Sequence, residues 1–178
     1  VRMRLTGDAV AETSAPFYVI AWTTTPWTLP GNLALCVGQD IDYAMVEDLE
    51  SGDFYLVAEA RVEAYYKNPE SYRIVRRMKG RDAVGWTYEP LFPYYRDHPN
   101  SFRIVSDDFV TTEEGTGIVH MAPAYGEDDY RVCRREAIEL VDYLDEECAF
   151  TGDIPEYAGS FCKDADKEII RALKDEEK

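Results

Sequence analysis

The sequence predicts an α+β fold with a β-rich, barrel-like core and a few peripheral helices. Nearly half of the 178 residues are apolar, and they occur along the whole chain, as in a folded globular protein. Most apolar runs are short, rich in β-branched and aromatic residues, and separated by Gly, Asp or Ser turns, which is typical of strands. A closed or nearly closed barrel would remove the exposed edges of so many short strands. We therefore expect a single domain with one core.

The first half of the chain has the pattern of an antiparallel meander. Its predicted strands are the apolar runs at 16–22, 33–37, 43–48 and 54–60. Helical composition follows at 59–67, and the segment RIVRRM (73–78) returns to a strand pattern.

The second half alternates short strands with two helices. An aromatic segment broken by two prolines (86–95) precedes predicted strands at 101–110 and 117–121. A helix is predicted to begin near Glu127–Asp129, where acidic residues crowd the first turn and interact favourably with the helix dipole. Its apolar stripe consists of Val132, Ala137, Ile138 and Val141. The final segment predicts a short amphipathic helix with an apolar face formed by Ile169, Ile170 and Leu173.

Charge limits the kind of partner that the chain can bind. The net charge of −16 repels polyanions at long range, so any contact with nucleic acid must be local. The strongest basic cluster consists of Arg73, Arg76, Arg77, Lys79 and Arg81. We interpret it as a solvated strand and turn, with a local nucleic-acid contact as the alternative.

The sequence indicates a soluble, cytosolic protein. No apolar run approaches the roughly 20 residues of a membrane-spanning helix, and the start VRMRLTGDAV lacks the features of a signal peptide. The four cysteines form no CxxC pair, so we expect reduced, partly buried thiols. They are Cys36, Cys133, Cys148 and Cys162.

Metal and serine-hydrolase chemistry have little support in the sequence. The two histidines, His98 and His120, have no spacing typical of metal ligands, and no GxSxG motif is present. We expect neither a metal nor a cofactor.

The segment AWTTTPWTLPGN (21–32) marks the end of a strand with an unusual number of hydroxyl groups. Proline usually ends a strand because it cannot donate to the ladder. Each polar residue near this segment or near the predicted 127–129 helix start has an ordinary structural explanation: threonines line strands, a strand histidine such as His120 is usually a satisfied core residue, and aspartates such as Asp128 and Asp129 cap helices.

Two long segments, WTTTPWTLPGNLAL and GTGIVHMAPAYGEDDYRV, closely resemble the editing domain inserted in the catalytic domain of isoleucyl-tRNA synthetases. The segments YEPLFPYY and KDADKEIIRALK extend the resemblance over nearly the whole chain. The related leucyl and valyl editing domains are similar, but they typically carry an arginine at the position of Thr25 and lack the PWTLP continuation. The isoleucyl family is therefore favoured.

The resemblance implies a barrel-like hydrolase that receives the 3′ end of aminoacylated tRNA and cleaves a wrongly attached valine ester. Isoleucyl-tRNA synthetases are the standard example of this need, because one methylene changes binding too little for a single pocket to reject valine. Valyl-adenylate is a second substrate that the resemblance allows. The alternatives are a non-catalytic module that binds an aminoacyl group or nucleotide, and an editing domain of the leucyl or valyl type.

The resemblance also predicts the domain organisation. No HIGH-like or KMSKS-like signature of a synthetic active site is present, so we expect residues 1–178 to be one editing domain of a larger synthetase. Residues 1–14 and 160–178 are expected near its connections to the catalytic body, which would be its protein partner. We expect a monomer that does not bind membranes.

Site residues follow from the same resemblance. Asp129 matches the acidic residue that contacts the α-ammonium of the substrate, although capping its own helix is a competing role, and Asp128 is then the expected cap. Thr24 and Thr25 match the catalytic wall, with Thr23 beside them. Because threonine has no pKa near neutrality, these hydroxyls are expected to orient water and stabilise charge.

The remaining matches concern substrate binding. His120 stands where the family places the residue that limits side-chain size, so we interpret it as a steric gate. Trp27 is expected to pack, and Asn32 either holds the strand-end loop or reaches the ligand. We expect residues 23–25 and 120–129 to border one cavity that accepts an isopropyl group and excludes a sec-butyl group.

Overall fold

Nine strands form one mixed sheet in a computed structural model that describes residues 1–11 and 13–178. The strands in chain order are β1 (Arg2–Thr6), β2 (Phe17–Ile20), β3 (Ala34–Val37), β4 (Asp42–Asp48), β5 (Phe54–Ala58), β6 (Tyr72–Lys79), β7 (Thr87–Tyr88), β8 (Arg103–Ser106) and β9 (Ile118–Met121). Their order across the sheet is β6-β4-β5-β2-β1-β7-β8-β3-β9. The β2–β5 and β3–β8 pairs are parallel and the other pairs are antiparallel.

Helices are short and lie between or after the strands. The α-helices are α1 (Val62–Tyr65), α2 (Gly80–Ala83), α3 (Glu127–Arg135) and α4 (Asp166–Asp175). The 3₁₀ helices are Gly7–Val10, Pro26–Gly31, Glu59–Arg61, Pro69–Ser71 and Pro155–Tyr157. The predicted α+β, β-rich class is confirmed.

The barrel is not closed. In the described residues β6 and β9, the two end strands, pair with different neighbours and not with each other. The sheet still curls towards itself, because the backbone N–H of Ala58 at the end of β5 donates to the carbonyl of Thr116, just before β9, at 2.9 Å. Of the two forms expected for the barrel-like core, closed or nearly closed, full closure is excluded: the sheet is curled but open.

The four strands of the predicted meander exist, and β4 and β5 pair antiparallel as predicted, but the predicted neighbours of β2 and β3 are wrong. β2 pairs with β1 and β5, and β3 pairs with β8 and β9. All four residues of β3 are buried, which suits an internal strand covered on both faces. Apolar patterning locates such strands but does not choose their neighbours, and this is why sequence order misled the pairing.

Strand β1 lies in the middle of the sheet and was not predicted. Met3 and Leu5 are buried, whereas Arg2 and Arg4 point to the other face. That alternation of apolar and charged residues is the signal that could have identified it.

Helix α3 is shorter than its apolar pattern predicts. It ends at Arg135, and Ala137 adopts a left-handed φ of 55°. The N–H of Ile138 then donates to the carbonyl of Cys133 at 2.9 Å, which is the bond of a Schellman cap. Ala137, Ile138 and Val141 therefore follow the helix and do not form a stripe on it.

Helix α4 matches its predicted position, with one correction to its apolar face. Ile169 and Leu173 are buried, but Ile170 is 39% exposed. The helix contacts the Pro26–Gly31 turn through Asp166, whose Oδ1 accepts the Trp27 backbone N–H at 2.8 Å.

The basic cluster lies on β6 and α2 and is paired with acidic neighbours. Its ion pairs are Arg73–Glu47, Arg77–Glu59, Lys79–Asp42 and Arg81–Asp40. This agrees with the interpretation as a solvated strand and turn.

The four cysteines are free thiols, and three of them, Cys36, Cys133 and Cys162, are buried. No helix in the described residues combines the length and the apolar character needed to span a membrane.

Candidate functional site

A cleft of about 270 Å³ lies where the threonine-rich segment meets β9 and the start of α3. Its lining includes Thr23, Thr24, Thr25 and Thr28 from the first segment, and His120, Ala122 and Asp129 from the second. The two segments that the sequence singles out therefore border one cavity, as expected.

The threonine segment is shaped by its own hydroxyls and by proline. β2 ends at Ile20, and Pro26 is the first residue of the Pro26–Gly31 helix, a position where its missing N–H has no cost. The Thr25 N–H donates to Thr23 Oγ1 at 3.1 Å, and Thr28 Oγ1 donates to the Thr25 carbonyl at 2.8 Å. The strand thus ends in a turn that is held by hydroxyl groups.

Thr24 differs from its neighbours. Its side chain is exposed to the cleft, and its hydroxyl has no hydrogen-bond partner among the described residues. Thr24 therefore has a hydroxyl that is available to a substrate or to water.

His120 is buried and both of its ring nitrogens are in contact with polar side chains. Nε2 lies 2.8 Å from Thr28 Oγ1, and Nδ1 lies 3.0 Å from Asn32 Nδ2. Burial lowers the pKa of His120 to about 4, so the imidazole is neutral at physiological pH. A neutral ring with both nitrogens engaged is suited to a wall and not to a general base.

Asp129 is the carboxylate of the cleft. It lies in the first turn of α3, and its Oδ2 accepts the backbone N–H of Ala122 at 2.7 Å. Burial raises the pKa of Asp129, because it disfavours the charged form. No arginine or lysine in the part of the chain that the structure describes forms an ion pair with it, and a carboxylate has room for further donors.

Asp128 is not the helix cap, contrary to expectation. The N-cap residue is Gly126, which has no side chain, and the Asp128 carboxylate pairs with Arg131 one turn further along at 2.8 Å. Asp129 does not occupy the cap position either, since it binds the loop before the helix.

A second carboxylate, Asp107, connects α3 to the residue that follows β8. Asp107, just after β8, is buried and accepts from Arg131 at 2.9 and 2.8 Å and from Arg135 at 2.7 Å. The two guanidinium groups, with Arg131 contributing most, hold the pKa of Asp107 well below its usual range. This arrangement attaches α3 to the sheet and thereby places Asp129.

Trp27 and Asn32 do not line the cleft but contact residues that do. The Trp27 ring packs edge-on against Tyr125, with centroids 5.2 Å apart. Asn32 is buried behind His120, and its amide also donates to the Ala34 carbonyl at 3.0 Å.

Three residues that line the cleft or contact its supporting residues are not among the predicted site residues. Thr28 was visible as one more hydroxyl of the motif. Tyr88, whose OH donates to Asn32 Oδ1 at 2.7 Å, had no local signal because its partner is 56 residues away. Tyr143 also lacked one: its ring lies so close to Gly31 that a Cβ there would stand 2.5 Å from a ring carbon.

No group of three or more His, Cys, Asp or Glu side chains suited to a metal ion occurs in the described residues. The chemistry available to the cleft is that of hydroxyls, one carboxylate and a neutral imidazole.

Several curated isoleucine–tRNA ligases are similar to the chain in sequence. The ligase of Bdellovibrio bacteriovorus is 50% identical over 159 residues, which is 88% of this chain and 15% of that protein. The cytoplasmic ligase of Saccharomyces cerevisiae is 45% identical over 164 residues, covering 87% of this chain and 15% of that protein. The chain thus spans about 15% of the length of these relatives. No family model matches it.

Solved editing domains share the fold at much lower identity. The cytosolic leucyl-tRNA synthetase editing domain of P. falciparum has a TM-score of 0.71 at 13% identity, covering 90% of this chain and 78% of that one. The P. knowlesi editing domain has a TM-score of 0.69 at 12% identity, covering 97% of this chain and 91% of that one. Likeness at this identity establishes the fold.

Proposed function

The chain belongs to the isoleucyl-tRNA synthetase family, and on this premise we propose that it is the editing domain that hydrolyses valine from mischarged tRNA(Ile). The observation that carries the proposal is the cleft itself. A half-buried carboxylate without a cationic partner lines the same cleft as several hydroxyls and a neutral histidine.

The proposed chemistry is hydrolysis of the ester. A water molecule attacks the ester carbonyl, the bond from the carbonyl carbon to the ribose oxygen breaks, and valine leaves a free 3′ end. Asp129 would bind the α-ammonium, since a cation is the partner that a desolvated carboxylate lacks. Valyl-adenylate, with the same ammonium, is included as a second substrate.

The threonines would position water and the ester carbonyl. Thr24 has a hydroxyl without a hydrogen-bond partner. The Oγ1 atoms of Thr23 and Thr25 lie 3.2 Å apart. A threonine hydroxyl is a poor general base, so we assign the proton transfer to the vicinal hydroxyl of the substrate ribose.

His120 would limit the size of the side chain that can enter. Its nitrogens are engaged inside the protein, so it meets the cleft as a ring and not as a base. Asn32 and Trp27 would support this wall from behind. Their proposed role in substrate binding is therefore indirect: they hold the residues that contact the substrate.

The proposed setting is a larger enzyme. We propose that residues 1–178 form an insertion whose connections to the catalytic body lie near 1–14 and 160–178. In support, Arg2 Nε donates to the Glu177 carbonyl at 2.6 Å, so the two ends of the chain meet. The proposed partners are that body and the 3′ end of tRNA, in a monomer located in the cytoplasm, as the name of the yeast relative states for that enzyme.

The test is deacylation by the chain in molar excess over valyl-tRNA(Ile), with isoleucyl-tRNA(Ile) as the matched substrate. We expect the valine ester to be hydrolysed much faster than the isoleucine ester. A chain that binds valyl-tRNA(Ile) without releasing valine would instead be a non-catalytic binding module.

A His120→Ala variant tests the gate separately. Removal of the ring should allow hydrolysis of isoleucyl-tRNA(Ile) while valyl hydrolysis continues. Loss of all hydrolysis with no change of selectivity would assign His120 a proton-transfer role instead.

A further inference from the structure

We propose that Tyr88 is a positioning residue which, through Asn32, fixes the proton and the orientation of the His120 ring and so sets the size limit of the cleft. The size limit rests on the function proposed above, whereas the position of the proton does not. The inference follows from a chain of hydrogen bonds whose two ends can only accept.

The first end is the carbonyl of Ala34. A carbonyl has no hydrogen, so the Asn32 atom 3.0 Å away must be the amide nitrogen. The same nitrogen lies 3.0 Å from His120 Nδ1 and directs its second hydrogen there. Nδ1 must therefore be unprotonated, because a protonated Nδ1 would point its N–H at the N–H of the Asn32 amide.

The second end is the carbonyl of Thr25. It takes the hydrogen of the Thr28 hydroxyl at 2.8 Å, which leaves the Thr28 oxygen to accept from His120 Nε2 at 2.8 Å. Nε2 therefore carries the proton of the neutral ring. Both ends lead to the same tautomer, and no basic nitrogen is left to face the substrate.

Tyr88 holds the Asn32 amide in the orientation that these hydrogen bonds to His120 and Ala34 require. Its hydroxyl donates to Asn32 Oδ1 at 2.7 Å, and Tyr88 is 3% exposed within the sheet on β7. Burial raises the pKa of Tyr88 well above its usual value, so the hydroxyl keeps its proton. Without this donor, Oδ1 would be a buried acceptor with no partner, and rotation of the amide would relieve it at the expense of the bond to His120.

Nitrogen NMR of the imidazole tests the proposal without any substrate. The chain has only two histidines, so a His98→Gln background leaves the His120 signals alone. In the unaltered network we expect Nδ1 to resonate as an unprotonated nitrogen and Nε2 as a protonated one. The opposite pattern would overturn the proposal directly.

Variants then separate positioning from general stability. Tyr88→Phe should shift or broaden the Nδ1 signal, since the amide is released. Tyr43→Phe is the matched control, because it also removes a buried hydroxyl from the sheet but one that donates to the Gly117 carbonyl. It should leave both nitrogens unchanged. Thr28→Val, at the other end of the hydrogen-bond chain, should shift the Nε2 signal and leave Nδ1 unprotonated. This variant replaces Tyr88→Phe as the test if Tyr88→Phe does not fold.

Deacylation supplies the functional arm. Tyr88→Phe should reduce the ratio of valyl to isoleucyl hydrolysis roughly tenfold, mainly by raising the isoleucyl rate, since a single methylene is resolved by factors of this order. An unchanged ratio or unchanged nitrogen signals in Tyr88→Phe would overturn the proposal. If the unaltered chain hydrolyses neither ester, the proposed function and the role in selectivity fail, while the NMR result still decides the tautomer.

Discussion

Two aspartates at helix α3 have opposite surroundings: Asp107 lies outside the helix and binds its arginines, whereas Asp129 lies in its first turn. Asp107 is enclosed by Arg131 and Arg135, and its pKa lies well below the usual range. Asp129 has a backbone N–H from Ala122, and burial raises its pKa. One carboxylate is saturated by cations of the chain, and the other is held in place without one.

On the proposed function, Asp107 is the structural carboxylate and Asp129 is the one that binds the substrate. A buried charge is costly unless it is paired, so an unpaired one is retained where a partner arrives from outside. The cation that an aminoacyl ester brings is its α-ammonium. The following changes test whether the two aspartates divide the work in this way.

The largest effect is expected for Asp129→Asn on catalysis. The variant keeps the shape of the side chain but loses the charge that would bind the ammonium. We expect kcat/KM for valyl-tRNA(Ile) to fall about 100-fold, as for other desolvated charge pairs. The matched control is Asp128→Asn on the same turn, which should stay close to the unaltered chain. Equal losses in both variants would break the distinction.

Asp107→Asn should have the largest effect on stability. It removes the charge that accepts from two guanidinium groups, so the free energy of unfolding should fall by about 2 kcal/mol at neutral pH. Asp129→Asn should leave it unchanged or slightly higher, because a raised pKa means that the fold favours the neutral form. Denaturant unfolding of both variants measures this, and the reverse ranking would refute the assignment.

The two carboxylates also predict opposite responses to pH. Asp107 has a lowered pKa, so its stabilisation is present above the usual aspartate pKa of about 3.9 and is lost as the pH falls through its folded value. Asp129 has a raised pKa, so the ionised form weakens the fold as the pH rises through that value. For catalysis, KM should rise as the pH falls through the raised pKa of Asp129 and the carboxylate becomes protonated. Steady-state kinetics should show this acid limb, and it should be absent in Asp129→Asn.

Single threonine changes should have the smallest effect. Thr24→Ala or Thr25→Ala should lower the deacylation rate only a few-fold, roughly one hydrogen bond's contribution, because neighbouring hydroxyls can hold the water. The Thr24→Ala/Thr25→Ala double variant provides the comparison: its deacylation rate should fall almost as far as that of Asp129→Asn. A single change that abolishes deacylation would show that one threonine has an indispensable role.

The sequence predicted which segments border the cleft better than it predicted the pairing of the surrounding strands. Thr23–Thr25 and the start of α3 could be brought together because two long motifs resembled one family. The strands were visible as apolar runs, but the pairing of β3 with β8 and β9 depends on contacts far apart in the chain. Patterning within a strand carries no such information.

The errors at α3 have local physical causes. Its acidic first turn predicted a cap at Asp128, yet Arg131 one turn later competes for that carboxylate. Its apolar pattern continued past Arg135, but a left-handed residue at Ala137 ended the helix, and a non-glycine residue in that conformation gives little warning in sequence. The link from Tyr88 through Asn32 to His120 could not be predicted either, because, like the strand pairing, it joins residues far apart in the chain.

The most direct test is the pKa of the Asp129 carboxyl group, measured by carbon NMR with a non-hydrolysable valyl-adenosine amide and with the same compound lacking its amino group. The account predicts that the amino compound lowers the pKa of Asp129 and that the compound without the amino group does not. A pKa that stays unchanged at saturation, or that shifts equally with both compounds, would contradict it.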